Sequence, residues 1–148
     1  ILGDVEIEAV KSVHGPISIP ILWIKITKQP GPGERVGLGS IGFKITLDGK
    51  TIVNLGDSIL QKEWTGLKPD VLMLPIGGLG DNTWTMDVPD ALEAVKLIAP
   101  KMVIPTHYNI PFLWVRNIAP ADDQLFKREV EKLGVECSIM QYGDEIDI

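Results

Sequence analysis

The stretch Pro100–Asn109, PKMVIPTHYN, decides how the rest of the chain is read. Met102–Pro105 is a short apolar run without alternation, the pattern of a strand covered on both faces, and it stops at Thr106-His107-Tyr108. A histidine at the end of a buried strand is held in place by the sheet behind it. Directly upstream, Asp87–Ala99 has Ala91, Leu92, Ala94, Val95 and Ile98 at three- and four-residue spacing, which predicts a helix with Asp87 and Asp90 at its positive end. Val71-Leu72-Met73-Leu74, before that helix, predicts a second buried strand running into the loop Pro75-Ile76-Gly77-Gly78. The order is strand, helix, strand, the unit of a parallel sheet.

Working outward toward the N-terminus, Ile41–Leu47 and Thr51–Leu55 flank Asp48-Gly49, a dipeptide suited to a tight hairpin, and the second strand ends at Gly56-Asp57-Ser58. A short helical stretch is expected around Ile59–Gly66. Asp4–Val13 alternates apolar and polar residues, the mark of a half-buried strand, and His14-Gly15-Pro16 ends it. Ile17–Thr27 is β-branched and predicts one strand, with Pro20 at an edge or bulge, and Lys28–Ser40 is a Gly- and Pro-rich loop. Toward the C-terminus, Pro120–Leu133 predicts a helix stopped by Gly134, and Val135–Gln141 a last strand. The fold class is α/β, or α+β by some schemes, with one mixed sheet in a single domain spanning residues 1–148.

The 148 residues are 45% hydrophobic and 23% charged, enough for a core, and the net charge of −6 with scattered Lys and Arg argues against nucleic acid as a partner. No apolar run approaches the roughly 20 residues of a membrane span. Cys137, the single cysteine, lies in an apolar run and reads as a buried small hydrophobe, and a cytoplasmic location is expected. The sequence opens at Ile1 directly in strand-like alternation, which leads us to expect a segment upstream.

Three strands thus end at residues able to bind a metal: His14, Asp57 and His107, and His14 and His107 are the only histidines. Imidazole and carboxylate donors converging on one sheet edge suit zinc, iron or manganese. Taken singly, each of these residue types is more often a turn, cap or surface residue than a ligand. The segments carry more than the single residues. Gly56-Asp57-Ser58, Lys68-Pro69-Asp70 leading into Leu72–Gly78, Thr85-Met86, and Pro100–Asn109 resemble, in order, the second half of metallo-β-lactamase-superfamily metal-dependent hydrolases. The branch is similar to N-acyl-phosphatidylethanolamine phospholipase D and ascorbate-phosphate lactonases.

That resemblance implies half of a four-layer αββα sandwich, one sheet with helices on its outer face. It also implies a divalent metal centre, zinc first with manganese or iron as alternatives, in which Asp57 bridges two ions, His107 binds the second and His14 the first. The expected chemistry is hydrolysis of a small-molecule ester, lactone, amide or phosphodiester. Tyr108 and Asn109 follow His107 and could donate to an oxyanion or support the ligand, although Tyr108 serves equally as a packing residue. Gly77, Gly78 and Trp84 would border the pocket, while Asp81, Asp87 and Asp90 read as turn and capping residues. The His-x-His-x-Asp-His motif of such hydrolases is absent from these 148 residues. The chain alone is therefore expected to be inactive and to need a partner for its apolar sheet face: the missing N-terminal half or a second copy. The alternative is a non-catalytic half-domain that self-associates or binds a partner through that face.

Overall fold

The computed structural model describes residues 4–15, 17–21, 24–28, 40–78, 84–111, 117 and 119–148. Its main feature is a six-stranded mixed sheet in the order β1-β4-β5-β6-β7-β8, formed by β1 (Glu6–Lys11), β4 (Ile41–Leu47), β5 (Lys50–Asn54), β6 (Val71–Pro75), β7 (Met102–Thr106) and β8 (Glu136–Cys137). The β1, β4 and β5 strands pair antiparallel, and β5, β6, β7 and β8 are parallel. Asp48 and Gly49, both at positive φ, close the hairpin between β4 and β5 as the dipeptide required.

Helix α1 (Val88–Ile98) lies between β6 and β7, and α2 (Asp123–Lys132) between β7 and β8. Both begin on an aspartate: Asp87 accepts from the Asp90 amide at 3.0 Å, and Asp122 accepts from the Leu125 amide at 2.8 Å. The two helices cover one face of the sheet. Val53, Leu72, Leu74 and Val103 point to that side and pack with Ala91, Val95, Ile98, Phe126 and Val130, all within 1% of complete burial. Cys137 is buried there as well, and burial pushes its thiol up to about 11.

The other face is bare toward β1 and β4. Cross-strand partners share a face, so the register places Ile7 beside Ile45, Ala9 beside Phe43, and Ile45 beside Ile52 on that side. Ile7 is 60% exposed, Ile41 49%, Leu47 48% and Phe43 43%, so about half of each of these side chains faces solvent. This corrects one expectation: β1 is not half-buried, because alternation shows that a strand has an apolar side but not that anything covers it.

Three further expectations change. Ile17–Thr27 is not one strand but two, β2 (Ile17–Ile21) and β3 (Ile24–Lys28), paired antiparallel in a sheet of their own with Pro20 opposite Lys25. A two-stranded sheet has only edge strands, where a residue without an amide donor is tolerated. The helical stretch around Ile59–Gly66 shrinks to a 3-10 turn, Lys62–Trp64, whose buried Trp64 indole donates to the Lys11 carbonyl at 2.8 Å. The last strand is two residues long rather than seven, because it meets β7 only where Glu136 and Cys137 lie opposite Met102 and Val103. The loop expected at Lys28–Ser40 falls, apart from its first and last residues, outside the described residues.

Candidate metal centre

Each candidate ligand sits just past the end of a strand. Asp57 follows β5 through Gly56, whose φ of +60° turns the chain and whose amide donates to Asn54 Oδ1 at 2.9 Å. The Ser40 hydroxyl donates to the Asp57 carbonyl, and Ser12 lies 2.6 Å from Ser40. His107 follows β7 directly and adopts a φ of +51°, a conformation costly for a non-glycine residue that re-aims its ring at the end of the strand.

The two side chains meet: His107 Nε2 is 3.2 Å from Asp57 Oδ2. The other ring nitrogen, His107 Nδ1, is buried without a hydrogen-bond partner. The first of these fits a shared cation. Two donors bound at 2.0–2.2 Å in tetrahedral array lie roughly 3.3–3.6 Å apart, close to the observed spacing. An ion shared by Nε2 and Oδ2 would not touch Nδ1, which lies on the other side of the ring, so the fit to a cation rests on the Nε2–Oδ2 spacing.

His14 reaches the same region along a different path. Past the end of β1 the Val13 amide donates to Ser58 Oγ at 2.9 Å and the Val13 carbonyl accepts from the Ile59 amide at 2.9 Å, so His14 is held one residue away from a segment that begins at Asp57. His14 Nδ1 lies 2.7 Å from the Gly15 carbonyl. Donation there fixes the tautomer and leaves the Nε2 lone pair free to bind a metal. Among the described residues no group of three or more His, Cys, Asp or Glu side chains is arranged to hold a metal ion. The side chains drawn together are therefore Asp57 and His107, with His14 linked to them through the backbone.

The pocket residues divide. Gly77 is buried beneath His107: a Cβ there would stand 2.3 Å from the His107 carbonyl oxygen and 2.9 Å from Ala119 Cβ. Gly78 is equally close to residues 85–87, and its amide donates to the Met86 carbonyl at 2.8 Å. Trp84 is half-buried, and its carbonyl accepts from the Gly15 amide at 2.7 Å, which puts it beside His14. Tyr108 turns the other way, packing against the helical core; burial first, then the neighbouring Asp123 carboxylate, pushes its hydroxyl up to about 12. Asn109 is exposed and its amide is occupied by Asn117 Nδ2 at 2.6 Å and by Ala121. Tyr108 and Asn109 therefore anchor the approach to α2 rather than face Asp57, and Asp81 lies outside the described residues. Ser58 and Thr85, both buried, are polar residues at the site that sequence reasoning gave no role.

A family model described as the beta-lactamase superfamily domain matches residues 2–107. The chain belongs to the metallo-β-lactamase superfamily. Among relatives of this superfamily member, a UPF0173 metal-dependent hydrolase of Nanoarchaeum equitans is 39% identical over 120 residues, covering 78% of the chain and 52% of the relative. One from Pelotomaculum thermopropionicum is 41% identical over 123 residues, covering 80% of the chain and 50% of the relative. The solved structure of Igni18, a metallo hydrolase from Ignicoccus hospitalis, matches with a TM-score of 0.69 at 29% identity, over 97% of the chain and 52% of the other. YhfI of Bacillus subtilis, a metallo-beta-lactamase fold protein, matches at 0.60 and 15% identity, over 97% of the chain and 49% of the other, which speaks to the fold alone. The metallo-β-lactamase domain described here spans about half the length of the curated relatives it matches.

Proposed function

We propose that the chain supplies one side of the metal centre of a hydrolase, completed by a segment carrying the His-x-His-x-Asp-His motif. The observation that carries this reading is the approach of His107 Nε2 to Asp57 Oδ2 at 3.2 Å, the spacing of two donors that share one ion. Asp57 would bridge two ions, His107 would bind one through its ring, and His14 Nε2 the other. Bound divalent cations, zinc first with manganese or iron as alternatives, supply an acidified water and polarise the scissile ester, lactone, amide or phosphodiester. The protein's own contribution is positional: β5 and β7 hold the two ligands at one edge, Gly77 lets His107 come close, and Trp84 walls the His14 side. Tyr108 supports His107 from the helical side.

The bare face of the sheet fits the same proposal. Apolar surface gains roughly 25 cal/mol per Å² when covered, and the exposed Ile7, Ile41, Phe43 and Leu47 form a patch that calls for a partner. The occupant we favour is the N-terminal half of the sandwich. Pairing of two copies, with no catalysis, is the alternative that the same patch supports.

Zinc titration of the purified chain, followed by calorimetry, tests the metal assignment. We expect measurable binding that Asp57→Ala and His107→Ala each abolish; equal binding by all three proteins would refute it. Hydrolysis of a nitrophenyl ester or bis(nitrophenyl) phosphate should emerge only when the N-terminal half of a relative is added. A stable homodimer that stays inactive after that addition would favour the non-catalytic reading.

A further inference from the structure

Ser58 is completely buried, yet its polar atoms tie together the segments on which two candidate ligands sit. Its hydroxyl oxygen accepts from the Val13 amide at 2.9 Å and donates to the Ile59 carbonyl at 2.8 Å. Its carbonyl accepts from the Thr85 hydroxyl at 3.1 Å and from the Met86 amide at 2.9 Å. The Gly15 amide, bonded to the Trp84 carbonyl at 2.7 Å, closes the loop. Residues 13–15, 57–59 and 84–86 are thereby locked to one another, the first two through the Ser58 hydroxyl and the third through backbone carbonyls. Val13 needs this partner because β1 stops at Lys11, so no strand neighbour is left to receive its amide.

His14 is the residue after Val13, and Asp57 the residue before Ser58. The hydroxyl that bonds Val13 therefore ties the backbone beside His14 to the backbone beside Asp57. We propose that Ser58 is a positioning residue for the metal centre, touching no ion itself and setting the separation of His14 and Asp57 through the Val13 amide. The proposal rests on the metal-centre reading above. An apolar side chain would fill the same space, but it would leave the part-buried Val13 amide unpaired and His14 held only by the Val13 carbonyl and the Gly15 amide on either side of it.

The test uses the full 148-residue chain in two measurements. In the metal-free protein, nuclear magnetic resonance follows the Val13 amide shift and the backbone and ring shifts of His14. In the second, cobalt(II) is titrated in and its visible d–d absorption read. Ser58→Ala should displace the His14 shifts and weaken cobalt binding about tenfold, with an altered d–d band. Thr85→Val, which removes one bond to the Ser58 carbonyl and carries the test if Ser58→Ala does not fold, should weaken binding about threefold. Val130→Ala, a core truncation under α2, destabilises the protein and should leave both readouts as in wild type. His14 shifts and cobalt affinity that remain within about twofold in both site variants, or an equal loss in Val130→Ala, would overturn the proposal. A wild-type chain that takes up no cobalt sinks the metal-centre reading instead, and the His14 shifts then decide alone whether Ser58 positions that residue.

Discussion

Substituting Gly77 by alanine asks whether the close approach beneath His107 is needed. The added Cβ would stand 2.3 Å from the His107 carbonyl, 2.9 Å from Ala119 Cβ and 3.0 Å from the Ala119 carbonyl. Real Cβ atoms essentially never come within 3.0 Å of such neighbours, and two of the three are backbone atoms that cannot rotate away. Either the loop after β6 or the turn at His107 must shift. Overpacking of this kind costs about 3 kcal/mol, which for a domain of this size lowers the melting temperature by roughly 6–12 °C. Gly66→Ala is the reference. That glycine has a φ of +78° but nothing within 4 Å of the point where a Cβ would stand, so only left-handed strain is added, about 1 kcal/mol or roughly 2–4 °C. Scanning calorimetry of both variants gives the comparison, and zinc titration adds a second: Gly77→Ala should weaken binding about tenfold and Gly66→Ala should not. A Gly77→Ala protein that melts no lower than Gly66→Ala would refute the reasoning.

Other outcomes follow from the charged and apolar surfaces. Asp70 is held at about 2 by the Lys101 ammonium, the Thr51 amide and the Thr51 hydroxyl; a lowered carboxylate contributes stability above its unfolded value and loses it as the pH falls. Urea melts of wild type should therefore weaken as the pH drops from about 4 to about 2, and Asp70→Asn should lack that part of the loss. Tyr108, raised to about 12, has the opposite sense: its contribution is complete below pH 10 and lost as the pH rises toward 12. Tyr108→Phe should remove its part of that alkaline decline, leaving the part due to Cys137, which sets in at lower pH because that thiol is raised to about 11. Ile7→Lys with Phe43→Lys, both on the bare face, should reduce concentration-dependent association in sedimentation while changing stability by no more than about 0.5 kcal/mol per site. A large drop in melting temperature with unchanged sedimentation would mean that the face is covered from within the chain.

Much of this was legible in the sequence where local pattern and burial coincide. The spacing of Ala91, Val95 and Ile98 announced α1 because one face of that helix is completely buried. Asp48-Gly49 announced its hairpin because the turn itself demands positive φ. The hairpin of β2 and β3 was hidden because Ile17–Thr27 contains no glycine, asparagine or aspartate to mark a reversal. The exposure of β1 was hidden for a different reason: what covers a face is a property of the whole assembly, not of six residues. At the site, Asp57 and His107 stood out by their places at strand ends. Tyr108 did not reveal its direction, since the positive φ of His107 that precedes it leaves no mark in the sequence. Ser58, after Gly56-Asp57, carries no mark in the sequence that sets it apart, and only its burial and partners distinguish it.

The parallel strands also have a far end. Asp70 joins Thr51 at the start of β5 to Lys101 at the start of β7, while Asp57 and His107 follow the opposite ends of those same strands. Five residues at about 3.3 Å each separate the two edges by roughly 17 Å, beyond the range at which substitutions usually influence one another. A fluorophore, a surface tether or a stabilising exchange placed at the Asp70 edge can therefore be introduced for its own sake, with the chemistry at the other edge left to vary independently.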